Sequence, residues 1–312
     1  MSVRPLFVFS LPRAGSTLLQ RMLAAHPRIA TSSEPWLLLP QLYALRPYAA
    51  QAEYGHRTAA RALHDFCEAL PAGRDAYLAE VHRTTLALYD QAAGEADWFL
   101  DKTPRYHFVV DEVMELFPEG RFVFLWRNPL AVAASIIESF GRGRWNLDRY
   151  APDLHGGLER LYAASRRDDP RACILRYEDL VADPAPALEK LFAFLDLPHD
   201  PGAAERFASV ELEGRMGDRT GRVRYSTITT ESIDRWQETM RNPLRKRWCR
   251  TYLEYVGDER LRAMGYDPDA LRRQVAGMRS SGARLGSDVA GRIRGIGGRR
   301  SLSNLGAPAG ES

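Results

Sequence analysis

The chain has 312 residues, 45% hydrophobic and 27% charged, the proportions of a globular protein able to bury a large core. Its net charge of +3 is unevenly placed: residues 271–312 hold eight arginines against Asp288 and Glu311, so the remainder is net acidic, which excludes a basic nucleic-acid-binding body. Cys67, Cys173 and Cys249 lie far apart with no CxxC or metal-ligand spacing, and no apolar run approaches the roughly twenty residues that cross a bilayer, so the expectation is a cytoplasmic protein with reduced thiols, no structural zinc and no transmembrane segment.

In chain order, Phe7-Val8-Phe9 reads as an apolar strand that breaks at Ser10-Leu11-Pro12-Arg13-Ala14-Gly15-Ser16-Thr17 and restarts as a helix over Thr17 to Ala25. Such a turn cradles an anion: backbone N–H groups and the hydroxyls of Ser16 and Thr17 sit at the positive end of a helix dipole, and Arg13 adds a permanently charged fork. Compared with the nucleotide-hydrolase loop GxxxxGK[ST], Ser10 replaces the first glycine and Ser16 replaces the phosphate-binding lysine. Ile29 to Ser32 reads as a short second strand, delivering Glu34 just past its end. Residues 36–96 are helical in pattern and form an insertion covering the sheet edge.

Trp98-Phe99-Leu100 is a brief third strand leading into Asp101-Lys102-Thr103-Pro104, with a helix over His107 to Phe117. Arg121 to Trp126 is the clearest buried strand and delivers Arg127-Asn128-Pro129, followed by a helix from Leu130 to Phe140 that carries Ser135. A flexible cationic loop over Gly141 to Asn146 precedes a helix over Asp153 to Arg167. Ala172 to Leu175 is a fifth strand, ending at Arg176-Tyr177-Glu178-Asp179-Leu180. The stretch from Val210 to Tyr225 is irregular and arginine-rich, with Arg224 a candidate for the ligand, and helices follow over Glu231 to Met240 and Leu244 to Tyr255. The organisation predicts one domain over residues 1–270, then a basic Gly/Ser/Arg-rich tail over 271–312 without fixed structure.

Five short strands alternating with helices predict an α/β fold, a three-layer sandwich around a mostly parallel central sheet of about five strands. In such sheets ligands bind beyond the carboxyl ends of the strands, which is where the Arg13 loop, Glu34, Lys102, Arg127 and Tyr177 all fall. The Arg13 loop can hold one anionic group, and Arg127 with Ser135 a second.

With these residues in place the chain resembles sulfotransferases that use 3′-phosphoadenosine 5′-phosphosulfate (PAPS). Ser10 to Leu19 resembles that family's 5′-phosphosulfate loop, Arg127-Asn128-Pro129 with Ser135 its 3′-phosphate motif, and Arg176 to Leu180 a third stretch whose tyrosine approaches the nucleotide. Arginine at position 13 is the form of tyrosylprotein sulfotransferases and their bacterial relatives. The resemblance implies a P-loop-NTPase-like fold and in-line transfer of a sulfuryl group to an acceptor hydroxyl or amine, with PAP as product and no metal required. It implies Glu34 as base, Lys102 and Arg13 as catalytic cations, and Arg13, Ala14, Gly15, Ser16, Thr17, Arg127, Ser135, Tyr177 and Arg224 as nucleotide ligands. The acceptor class, whether sugar, lipid, small metabolite or peptide tyrosine, carries no motif. Two other readings compete: a kinase-like NTP-dependent phosphotransferase, disfavoured by the missing loop lysine, and a non-catalytic nucleotide-binding sensor, disfavoured by the presence of both Glu34 and Lys102.

Overall fold

Alternation along the strands builds the molecule from the centre outward. The computed structural model describes residues 3–212 and 230–293. Its sheet consists of β1 (Arg4–Phe9), β2 (Ile29–Thr31), β3 (Trp98–Asp101), β4 (Arg121–Trp126) and β5 (Ala172–Arg176), in the order β2-β3-β1-β4-β5. All four pairings are parallel, with Phe7 opposite Asp101 on one side of β1 and Phe122 on the other. The expected five-stranded parallel sheet is therefore present, with β1 central. Both faces are covered, so successive residues enter two different cores.

On one face Phe7, Phe9, Phe122, Phe124 and Trp126 meet α4 (Gly73–Ala93), α5 (Val110–Leu116), α6 (Pro129–Gly141) and α7 (Leu158–Ser165). The rings of Phe7 and Phe9 both stack on Phe122 at 5.8 Å. On the other face Leu6, Val8, Val123, Leu125 and Leu175 meet α1 (Ser16–Ala24), α8 (Tyr177–Ala182) and α9 (Pro184–Phe194). Between β2 and β3 lie α2 (Leu38–Tyr43), α3 (His56–Glu68) and α4, the helical stretch that the sequence sets at 36–96. Asn128 starts α6, its side chain accepting from Leu130 N at 2.9 Å with Pro129 in the first turn.

The helices depart locally from the sequence reading at three places. The helix expected over His107 to Phe117 begins as a 3₁₀ turn, Pro104–Phe108, and is interrupted at Val109, whose φ of −135° is not helical. Asp153–Gly157 opens its helix as a π turn: buried Asp153 accepts from His107 Nε2 at 2.9 Å, and a Cβ on Gly157 would lie 2.8 Å from His107 Nδ1. The helix expected over Glu231 to Met240 is divided into Glu231–Asp234 and Trp236–Met240.

The boundary drawn at residue 271 does not mark the end of the packed chain. Pro268–Gly277 is a helix, residues 285–293 form another turn of helix and more, and Asp288 is fully buried. Its carboxylate takes Arg245 Nε at 2.6 Å, Asn242 Nδ2 at 2.6 Å and the Trp145 amide at 3.1 Å, while Arg245 Nη2 reaches Gly143 O at 2.8 Å. The loop after α6, expected to be flexible, is thus held by the C-terminal segment. A Gly/Ser/Arg composition hides this anchor because one carboxylate, not an apolar stripe, supplies it. Asp288→Ala leaves the Arg245 guanidinium buried and uncompensated, and urea unfolding is expected to show a loss of about 3–5 kcal/mol. A loss under about 1 kcal/mol, the worth of an exposed pair, would contradict the anchor.

Candidate active site

The carboxyl ends of the strands gather the predicted residues into two sets joined by the loop between β1 and α1. The loop itself is tightly constrained. Arg13 has a φ of +71° and Gly15 of +96°. A Cβ at Gly15 would lie 2.3 Å from the Tyr177 ring, so the buried tyrosine occupies the space that only glycine leaves open. Ala14 and Ser16 are buried, and Thr17 is half-buried at the first turn of α1. Among the described residues no side chain caps α1, and no acidic residue stands in its first turn, an arrangement that suits an anion at its first N–H groups. Ser10 Oγ is buried without a hydrogen-bond partner among the described residues. These features fit a phosphate or sulfate group.

The first set surrounds Arg13. Its Nε donates to Ser135 Oγ at 3.3 Å, and its guanidinium lies 5.6 Å from the ring of Phe140, a half-exposed aromatic that stacks on Tyr150. Arg127 Nη1 donates to the Arg13 carbonyl at 3.0 Å, Nη2 donates to Ser232 O at 3.1 Å, and the guanidinium lies 4.2 Å from the Tyr177 ring centroid. Arg127 therefore holds the loop in its left-handed conformation, a duty that the sequence did not suggest. Its Nε is buried and unpaired among the described residues. Tyr177 hydrogen-bonds Ser232 through its hydroxyl at 2.9 Å. Glu178 secures the start of α6, accepting from the Asn128 amide at 3.0 Å and from Tyr266 at 2.6 Å. Arg224 lies outside the described residues.

The second set is a charge pair. Lys102 Nζ, on a side chain only 1% exposed, lies 2.6 Å from Glu34 Oε1 and 3.4 Å from Thr17 Oγ1. Lysine at this strand end thus bridges the anion loop and the carboxylate. The other Glu34 oxygen accepts from Trp36 Nε1 at 3.1 Å, and 11% of the Glu34 side chain stays exposed, leaving one open edge for an incoming group. Short β2 needs outside help to hold this carboxylate. Gln20 of α1 supplies it, donating to Thr31 Oγ1 at 2.8 Å and to Ser32 O at 2.7 Å, while Thr31 Oγ1 donates to Leu100 O at 2.7 Å.

Beneath Lys102 lies a group that the sequence reading passed over. Asp101, fully buried, accepts from Tyr89 and Tyr106 hydroxyls at 2.6 and 2.8 Å and from Thr103 Oγ1 at 2.9 Å. Burial pushes its carboxyl above the usual range, while the three hydroxyl donors and the Lys102 charge pull it back. Burial next to this carboxylate pushes both tyrosines well above their ordinary value, so they remain donors. Asp101 stands directly before Lys102 in the sequence, with Thr103 and Tyr106 close by and Tyr89 in α4, but only the fold turns their three hydroxyls onto one carboxylate. Among the described residues no cluster of histidine, cysteine and carboxylate side chains has the arrangement of a metal site, and no helix is long and apolar enough to cross a membrane.

Chemically, the arrangement offers an anion cradle with a second cationic site beside it and a carboxylate poised next to a lysine at its mouth. The profile of the sulfotransferase family matches residues 5–201. The chain is 29% identical over 303 residues to the nodulation protein NoeE of Sinorhizobium fredii, an alignment covering 87% of this chain and 68% of that protein. It is 25% identical over 203 residues to the protein-tyrosine sulfotransferase of Drosophila melanogaster, covering 62% of this chain and 38% of that longer protein. Among solved structures, the sulfotransferase domain from the curacin biosynthetic pathway superposes with a TM-score of 0.55 at 21% identity, covering 85% of this chain and 98% of that one, which establishes a shared fold.

Proposed function

The chain belongs to the sulfotransferase family, and on that premise we propose that it transfers a sulfuryl group from PAPS to an acceptor hydroxyl or amine, releasing PAP. The observation that carries the reading is Lys102 Nζ, seated between the Glu34 carboxylate and Thr17 of the anion loop. The loop N–H groups, Ser16, Thr17 and Arg13 hold the phosphosulfate. Arg127 and Ser135 hold the 3′-phosphate, and Tyr177 packs beneath the loop. Nucleotide contact by Arg224 belongs to the same proposal.

In the transfer itself the acceptor oxygen forms a bond to sulfur as the bond from sulfur to the bridging phosphate oxygen breaks. Glu34 takes the acceptor proton, and the electron pair of the broken bond stays on the bridging oxygen, where Lys102 and Arg13 stabilise the developing charge. Little covalent chemistry falls to the protein, so positioning and cationic stabilisation supply most of the rate, as in phosphoryl transfer. The acceptor approaches across the open edge of Glu34, beside Trp36 and under the helices α2 to α4.

Titration calorimetry with PAP and with ATP–Mg²⁺ tests the donor class. Binding of PAP at least about tenfold tighter is expected, one additional charge-assisted phosphate contact being worth on the order of 1.5–3 kcal/mol. Equal or tighter binding of ATP–Mg²⁺ would contradict the assignment.

A further inference from the structure

Resting on the sulfotransferase reading, we propose that Asp101 is a positioning residue that fixes Glu34 against Lys102 through two relayed hydroxyls. Thr103 Oγ1 donates to Asp101 Oδ1 and accepts from the Trp36 amide at 3.3 Å. The Tyr106 hydroxyl donates to Asp101 Oδ2 and accepts from the Leu38 amide at 3.2 Å. A carboxylate can only accept, so each hydroxyl is polarised toward Asp101 and presents its lone pair to a main-chain N–H.

Both amides belong to the turn that carries the reacting carboxylate. Trp36 sits at a φ of +55°, costly for a bulky residue, and its indole in turn donates to Glu34. The bonds close a circuit: Asp101 to Thr103 and Tyr106, then to the backbone of residues 36–38, then from Trp36 to Glu34, then to Lys102, the neighbour of Asp101. One circuit thus sets the distance between a residue delivered by β2 and a residue delivered by β3. Tyr89 supplies the same carboxylate with a third donor from α4, and its hydroxyl bonds no part of residues 34–38.

This asymmetry provides the test. Thr103→Val and Tyr106→Phe each remove a hydroxyl that links Asp101 to the 34–38 turn, and Tyr89→Phe removes one that does not. Transfer of radiolabelled sulfate from PAPS is followed with a panel of sugar, lipid, small-metabolite and tyrosyl-peptide acceptors. The first two variants are expected to lower kcat by about ten- to a hundredfold, the cost of a small displacement of a reacting group, with PAP affinity unchanged by calorimetry. Tyr89→Phe is expected to lose thermal stability comparably and keep wild-type kcat. In a Glu34→Gln background Thr103→Val should lower kcat no further. Amide exchange over residues 34–38 should accelerate in Thr103→Val and Tyr106→Phe and not in Tyr89→Phe. Wild-type kcat in the first two variants, an equal kcat loss in all three, or unchanged exchange would overturn the inference. Exchange reads the tie whatever the reaction, so absence of transfer by the wild-type chain would count against the sulfotransferase reading instead.

Discussion

Glu34→Gln is expected to lower turnover by at least about a hundredfold while PAP binds as tightly as to the wild-type chain. The glutamine amide oxygen can still accept from Lys102, while its NH2 then meets the Trp36 indole N–H, so the change removes the capacity to take a proton together with one accepted hydrogen bond. The wild-type carboxylate has Lys102 on one oxygen at 2.6 Å and the Trp36 indole on the other at 3.1 Å. Each oxygen keeps a further lone pair for an acceptor hydroxyl. Both neighbours are donors. Near-normal turnover in the variant would remove Glu34 from the reaction and reduce its pairing with Lys102 to structure.

Lys102→Ala carries the second large effect, a loss of about a hundred- to a thousandfold in kcat, the usual scale for deleting one preorganised donor at a site of developing charge. PAP lacks the sulfate, so its affinity should change little. A buried ion pair is by itself weak evidence for stability, and breaking one by removing a single partner is costly, so the variant must be shown to fold before its rate is read. Here the lysine is almost completely buried and also within 3.4 Å of Thr17 in the anion loop, a placement that structure alone does not require. A parallel fall in PAP affinity and in kcat would make Lys102 a binding residue and refute its role in transfer.

The sheet was legible because each strand is a short, mostly apolar run closed by a polar cluster. Arg121 to Trp126 and its arginine at 127 illustrate the pattern, and a parallel sheet brings every such cluster to one edge. The placing of Glu34 and Lys102 at one edge followed from the same topology together with the family resemblance, whereas their direct contact at 2.6 Å is a finding of the structure. What stayed hidden depends on which groups the fold turns toward one another. Arg127 reads as a ligand for an anion, yet two of its nitrogens are engaged by the carbonyls of Arg13 and Ser232. Asp101 reads as a residue beside a lysine, and its significance lies in the hydroxyls of Thr103 and Tyr106. The turn of helix around Asp288 escapes hydropathy because a single buried carboxylate fastens it to Arg245 and to the loop at Trp145. Val109 breaks a helix with a non-helical φ, and Asp153–Gly157 widens another into a π turn beside His107, a contact of which local propensity contains no trace.

Sulfate transfer itself tests the central claim most directly. Incubating the chain with PAPS labelled in the sulfate and with the acceptor panel should yield labelled product and PAP in equal amounts, with both lowered together by at least about a hundredfold in Glu34→Gln. PAP formed without labelled product, or product formation undiminished in Glu34→Gln, would contradict the account.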